Sequence, residues 1–378
     1  MKVALIHDHL CQEGGAEKVL EVFSRIFPKA PIFTLTYEKN KTDKNFPGRS
    51  IRPSIIQKIP GGISHYRWFM PVMPMAIEFF DLREFDVVLS STSSFAKGVI
   101  TSPNTLHICY CHTPTRYLWS DTHQYINDLK YNKYFKKVIS LALNYVRIWD
   151  KLAADRVDYY LTNSKTSLRR LKKYYKRDAK IIYPSVNMND FYVSEKQEDY
   201  YLAGCRLVPY KKIDIMIEAF LENGLPLKIF GDGIDRERLQ AIAGEAKNIE
   251  FLGRVTDKEK SELYSKCRAF INPQLEDFGI TPVEAMASGR PVIALGEGGS
   301  LESIVDGETG VFFKKSNKND LNEAIKRLNG ISFDSQKIRQ HAKKFSEENF
   351  IKQIKETIEE EYKKFNDKCG NYEDWNRY

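Results

Sequence analysis

At 378 residues, with 42% of them hydrophobic, the chain has room for two domains and enough apolar content to give each a core. Its longest apolar runs, 69–77 and 138–143, are far shorter than the roughly 20 residues of a membrane-spanning helix. Residues 1–6 enter a strand pattern without a signal-peptide layout, so a cytoplasmic protein is expected. The net charge of +8 is uneven: residues 1–190 hold 29 Lys+Arg against 17 Asp+Glu, and residues 191–378 hold 29 against 33. A basic first half is suited to an anionic partner, whether nucleic acid, a membrane surface or a phosphorylated substrate. Cys11, Cys109, Cys111, Cys205, Cys267 and Cys369 form no C-x-x-C pair, so neither a zinc site nor a disulfide framework is indicated.

In chain order, an apolar strand pattern at 3–6 leads through Gly14-Gly15 into a helix marked by Ala16, Val19, Leu20, Phe23 and Phe27. Strands are predicted at 32–36, 87–90, 106–109 and 159–162, with a long helix over 136–155. The alternation breaks near 183–201, where Pro184 and the charged run 194–199 read as a linker. A second series follows, with strands at 201–205, 227–230, 249–252, 269–272 and 291–294. Its helices fall at 213–221, 235–243, 258–266, 282–287 and 320–328. Residues 346–366 close the pattern with a charged amphipathic helix. Such alternation argues for an α/β protein with two doubly wound parallel sheets, whose ligands belong beyond the carboxyl ends of the strands. The expected boundaries are an N-terminal domain at 1–186, a linker at 187–200, a C-terminal domain at 201–345 and a terminal helical segment at 346–378.

The loops after the second-half strands carry the strongest chemistry. Arg206 and Lys211 flank one strand-to-helix loop, where a guanidinium fork and a compact ammonium can neutralise one diphosphate. Gly231 and Gly233 end the next strand, where backbone amides can approach a ligand. The full dinucleotide fingerprint is missing, because Arg236 fills its last glycine position. In the segment 273–289, Thr281, Pro282 and Glu284 fit an N-cap, a first helical position and a capping-box glutamate. Glu276, ahead of that turn, is free to accept hydrogen bonds from sugar hydroxyls, and the amides near Phe278, Gly279, Ile280 and Thr281 to face phosphate. No Asp-x-Asp occurs, so no carboxylate pair for a divalent metal is evident and no metal or cofactor is expected.

Arg206 with Lys211, Glu276 and Glu284 with seven residues between them, and Glu284-Ala-Met-Ala-Ser-Gly-Arg-Pro-Val-Ile-Ala294 together resemble the signature of the retaining glycosyltransferase family 4. Gly298-Gly299 and Asp306-Gly-Glu-Thr-Gly310 continue it, so the likeness covers most of residues 200–312. The resemblance implies a GT-B fold, two Rossmann-like domains facing a central cleft. It also implies a nucleotide-sugar donor, with Arg206 and Lys211 on the diphosphate, Glu284 on the ribose and Glu276 on the transferred sugar. In the first half, Gly14-Gly15 matches the family's phosphate-facing turn and His112, after the 106–109 strand, its active-site histidine. The segments 66–75 and 109–119 resemble the mannosyltransferase-like branch, which implies mannose from GDP-mannose delivered to a glycan or polyprenyl-diphosphate-linked acceptor. Pro184-Ser-Val-Asn187 departs from the family's Pro-Asn-Gly-Val-Asp.

Two basic, aromatic segments, 130–151 and 168–177, have the composition of helices that rest on an anionic bilayer, here the inner face of the plasma membrane. A UDP-sugar donor and a sugar-nucleotide epimerase on the same fold are the neighbouring readings. Nucleic-acid binding is the reading from another class, but no RRM, KH or helix-turn-helix signature accompanies the charge, and no nucleic-acid partner is expected.

Overall fold

The computed structural model describes residues 1–12, 14–129 and 131–373. Lys130 of the first basic segment, the last five residues of the 346–378 segment and the Cys369 side chain lie outside that description. The chain divides into two compact units, one formed by Met1–Tyr183 with the segment from Ile351 onward, the other by Pro184–Phe350.

In the first unit, β1 (Val3–His7), β2 (Ile32–Thr34), β3 (Ile51–Pro53), β4 (Val87–Thr92), β5 (Leu106–Cys111), β6 (Tyr159–Thr162) and β7 (Lys180–Ile181) make one sheet in the order β3-β2-β1-β4-β5-β6-β7. Every pairing is parallel. All residues of β1, β4 and β5 are buried, as expected of central strands covered on both faces. The helix Lys133–Asp155 places Leu143, Val146, Trp149 and Ala153 in the core. Beneath it lies a buried ion pair, Lys97 Nζ to Asp150 Oδ1 at 2.6 Å. Asp150 also accepts from Thr115, Trp119 and Tyr175 at 2.7–2.8 Å, so both its oxygens are engaged. The long helix Glu347–Glu373 starts in the second unit and supplies Ile354 and Ile358, both buried, to the first. There Lys180 Nζ donates to Thr357 Oγ1 at 2.9 Å.

The second unit has β8 (Tyr201–Gly204), β9 (Leu227–Phe230), β10 (Ile249–Gly253), β11 (Ala269–Asn272), β12 (Val292–Leu295) and β13 (Gly310–Phe313), all parallel, in the order β10-β9-β8-β11-β12-β13. Its core joins the helices Ile213–Asn223 and Lys318–Asn329 to the sheet through Met216, Phe220, Leu321 and Ile325. The run 187–200, read above as a linker, packs within this unit. Arg339 donates to the carbonyls of Met188 and Phe191 at 3.0 and 2.9 Å, and the Glu198 N–H to Lys266 O at 2.8 Å.

Candidate functional site

Each sheet reverses its strand order once, between β1 and β4 in the first unit and between β8 and β11 in the second. At such a point adjacent loops leave in opposite directions and open a crevice at the carboxyl ends of the strands. The predicted site residues gather at these two places.

In the second unit, β8 ends at Gly204, and a single 3-10 turn, Pro209–Lys211, carries Lys211 back over the sheet. Lys212 then takes a left-handed conformation (φ 55°) to start the next helix. From the adjacent strand, β11, the loop after Asn272 brings Glu276 to meet it. Lys211 Nζ pairs directly with Glu276 Oε1, which also accepts from Gln274 Nε2 at 2.9 Å. Burial disfavours the Lys211 charge, but the Glu276 carboxylate beside it prevails and raises its pKa above the ordinary lysine value. Arg206, exposed on the same loop, reaches Tyr210 Oη at 3.4 Å. Arg206, Lys211 and Glu276 therefore occupy one switch point, although they lie up to 70 positions apart in sequence.

Glu284 has a different setting from the one its spacing suggested. The helix begins at Ile280, not Pro282, and its N-cap is Gly279 at φ 84°, with no side-chain capping bond. Thr281 is therefore not the cap, and Glu284 is not a capping-box partner. Its carboxylate is buried and accepts from Lys260 Nζ at 3.3 Å and Tyr264 Oη at 3.2 Å. The Phe278 ring packs on Phe345 (centroids 5.5 Å apart) and is buried, so only its backbone can face a ligand.

Gly231 and Gly233 answer first to a crossing of loops. A Cβ on Gly231, at φ 113°, would lie 1.9 Å from the Cys205 carbonyl, and one on Gly233 would lie 2.1 Å from that of Leu207. The β9 loop thus packs on the β8 loop, and Leu207 N–H donates to Asp232 O at 3.0 Å. That contact braces the loop carrying Arg206 and Lys211.

In the first unit, His112 follows β5 and is 8% exposed. Its Nε2 lies 2.9 Å from Ser91 Oγ, and Ser91 Oγ is 3.2 Å from His7 Nδ1. Strand pairing fixes this: His7 and Ser91 are register partners across β1 and β4. His7 Nε2 lies 3.8 Å from Glu17 Oε1. Burial, with His7 nearby, lowers the His112 pKa to about 4, so its imidazole is neutral at pH 7. Burial pushes the Glu17 carboxyl up, but the His7 contacts and its backbone bond outweigh that and hold it below its usual range.

Gly14 caps the helix Gly15–Ile26 from an extended conformation, and a Cβ there would lie 2.8 Å from Glu17 Oε2. Asp8 accepts from the N–H groups of Ser93, Phe95 and Ala96 at 2.7–2.8 Å and fixes the loop after β4. Sequence reading singled out His112, Gly14 and Gly15 but not His7, Ser91 and Glu17, which the strands bring beside them. The available signal was three polar clusters at strand ends: His7-Asp8-His9, Ser90-Ser91-Thr92-Ser93-Ser94 and Cys111-His112-Thr113.

Residues 188–349 match the family described as glycosyl transferases group 1. This stretch carries a group 1 glycosyltransferase domain. The chain is 31% identical over 225 residues to an uncharacterized glycosyltransferase of Methanocaldococcus jannaschii, a match covering 57% of this chain and 63% of that one. It is 26% identical over 303 residues to the alpha-1,3/1,6-mannosyltransferase ALG2 of Dictyostelium discoideum, covering 67% of this chain and 69% of that one. Among solved structures, HepE of Anabaena in complex with UDP superposes with a TM-score of 0.70 at 18% identity, over 95% of this chain and 100% of that one. The two parallel-sheet units of the chain have the GT-B architecture. Among its described residues, no helix is long and apolar enough to cross a membrane.

Proposed function

We propose that the protein transfers a hexose, mannose from GDP-mannose, to a glycan or polyprenyl-diphosphate-linked acceptor in surface polysaccharide synthesis, with retention of anomeric configuration. The observation that carries the reading is the meeting of Lys211 and Glu276 at the β8/β11 switch point, a cation for the diphosphate beside a carboxylate for sugar hydroxyls. Arg206 and Lys211 take the diphosphate, whose negative charge grows as the sugar leaves. Glu284, held by Lys260 and Tyr264, takes the ribose hydroxyls. Glu276 orients the sugar. His112 stays neutral and takes the role at the transferred sugar that the family resemblance implies.

In the step, the C1–phosphate oxygen bond breaks while the acceptor oxygen bonds C1 on the same face. The acceptor proton passes to the departing phosphate oxygen. No covalent enzyme intermediate is assigned to Glu276. The mannosyl reading is supported by the resemblance of segments 66–75 and 109–119 and by the mannosyltransferase among the relatives. The UDP bound by HepE keeps a UDP-sugar as the second reading.

The test is turnover of GDP-mannose, UDP-glucose and UDP-galactose with a mixture of glycan and polyprenyl-diphosphate acceptors. Acceptor-dependent release of GDP with mannose transfer is expected. Release of UDP alone would overturn the donor, and epimerised nucleotide sugar or no turnover would overturn transfer itself.

A further inference from the structure

The first unit exposes an apolar surface that its own fold does not use. Along the helix Lys133–Asp155, Tyr134, Val138, Leu141, Tyr145, Ile148 and Leu152 recur at alternating spacings of four and three and form one stripe. All six are exposed, with Leu141 at 74%. The opposite stripe, including Leu143, Val146 and Trp149, is the one that packs in the core. A second ridge repeats the pattern on the segment Tyr66–Val72 and the helix Met73–Glu78 that follows it. Trp68, Val72, Met75 and Phe79 are spaced by four, three and four, with Trp68 62% and Phe79 65% exposed.

The two ridges lie side by side. At one end Trp68 packs on Tyr131 and Phe135, with centroids 6.3 and 6.2 Å apart. At the other, Glu78 Oε1 accepts from Trp149 Nε1 at 2.7 Å and Arg156 at 2.6 Å. A paired apolar ridge of this breadth exceeds the scattered apolar residues of an ordinary soluble surface.

The charges around it name the partner. Residues 131–152 carry Lys133, Lys136, Lys137, Arg147 and Lys151, and their single acid, Asp150, is buried against Lys97. Arg147 turns inward to Leu118 O, and Lys151 pairs with Asp155. The outward positive charge therefore collects at Lys133, Lys136 and Lys137, next to Tyr131 and Tyr134. Tyrosine and tryptophan beside lysine, bordering a wide aliphatic face, match the layering of headgroups over acyl chains. The other basic segment does not share this design. On the helix Lys165–Tyr174 and the turn after it, Tyr174 stacks on Trp119 and Tyr175 is buried.

We propose that the two ridges form a docking face that inserts shallowly into the surface of an anionic bilayer, anchored by Leu141, Ile148, Trp68 and Phe79 and steered by Lys133 and Lys137. This goes beyond the transfer reading and does not depend on it. The test is flotation of the full chain with phosphatidylglycerol/phosphatidylethanolamine vesicles and with phosphatidylcholine vesicles at low salt, alongside light scattering without lipid.

Binding to the anionic vesicles, weakened at least tenfold in the Leu141→Glu/Ile148→Glu variant and roughly 25-fold in Lys133→Gln/Lys137→Gln, is expected. Equal binding to both vesicle types, or none, overturns the proposal. So does a lipid-free dimer that Leu141→Glu/Ile148→Glu dissolves, since the face would then serve a second copy. Calorimetric binding of GDP and UDP, measured on the same samples, reports on the second unit. Absence of flotation by the unsubstituted chain, with its nucleotide binding intact, would therefore refute docking alone.

Discussion

On the proposed roles, the ion pair between Lys211 and Glu276 should make two neighbouring substitutions move nucleotide affinity in opposite directions. A nucleoside diphosphate arriving at Lys211 must draw the ammonium away from Glu276 and tolerate that carboxylate nearby. Two unit charges 4 Å apart interact by about 1 kcal/mol in water and about 4 kcal/mol at an effective dielectric of 20. The Lys211 and Glu276 side chains are 14% and 23% exposed, which puts the pair between those limits, at about 2 kcal/mol.

Glu276→Gln keeps the shape and removes the charge, so GDP or UDP should bind roughly 10- to 30-fold tighter. Lys211→Met should weaken the same nucleotide by a similar or larger factor, and the double variant should fall below the sum of the single effects. Turnover tells the other half: Glu276→Gln should lose at least about 100-fold in kcat despite holding the product more tightly, because the sugar has lost its acceptor of hydrogen bonds. Isothermal calorimetry with GDP and UDP is the assay for binding. If Glu276→Gln weakens the nucleotide as Lys211→Met does, Glu276 is a structural brace for Lys211 and the assigned roles are wrong.

Three further outcomes follow from the geometry. Burial lowers the pKa of His9, His107 and His112 to about 4, 3 and 4, so these rings stay neutral in the folded chain while the unfolded chain takes up protons below about pH 6.5. Their contribution is complete above that pH and is lost on acidification, on the order of 4 kcal/mol between pH 6.5 and 5. Urea unfolding followed by the fluorescence of Trp68, Trp119 and Trp149 should show it, and a midpoint constant across that window would contradict it. Asp150→Ala should cost about 3–5 kcal/mol, because it strands Lys97 in the core, and the same unfolding midpoints measure that loss. His112→Ala should lower kcat at least about 100-fold while leaving GDP or UDP affinity within twofold, since the proposed diphosphate contacts are Arg206 and Lys211; equal losses in both quantities would reassign it.

Much of the architecture was readable because central parallel strands are short, mostly apolar runs between helical patterns, as in 3–6, 87–90 and 227–230. Apart from β13, Gly310–Phe313, the elements that escaped lack that signal. β3 is an edge strand with exposed Arg52 and half-buried Pro53, β7 has two residues, and the helix Ser335–Ala342 buries only Ile338 and Ala342. Arg206, Lys211 and Glu276 were legible as loop chemistry, but their convergence depends on β8 lying next to β11, a fact of topology and not of spacing. The same holds for His7, Ser91 and His112, which three neighbouring strands deliver. Thr281-Pro-Val-Glu284 misled for a local reason: Gly279, free to adopt φ 84°, starts the helix early and leaves the capping-box pattern inside it.

The return of the chain at Ile351 sets an order of assembly. During synthesis the first unit emerges first yet lacks Ile354, Thr357 and Ile358 until the segment from Ile351 onward leaves the ribosome. The second unit, continuous from Pro184 to Phe350, has all its strands before then. Maturation thus runs against the direction of translation, and a nascent chain halted after Phe350 should hold nucleotide while its amino-terminal half stays open to protease.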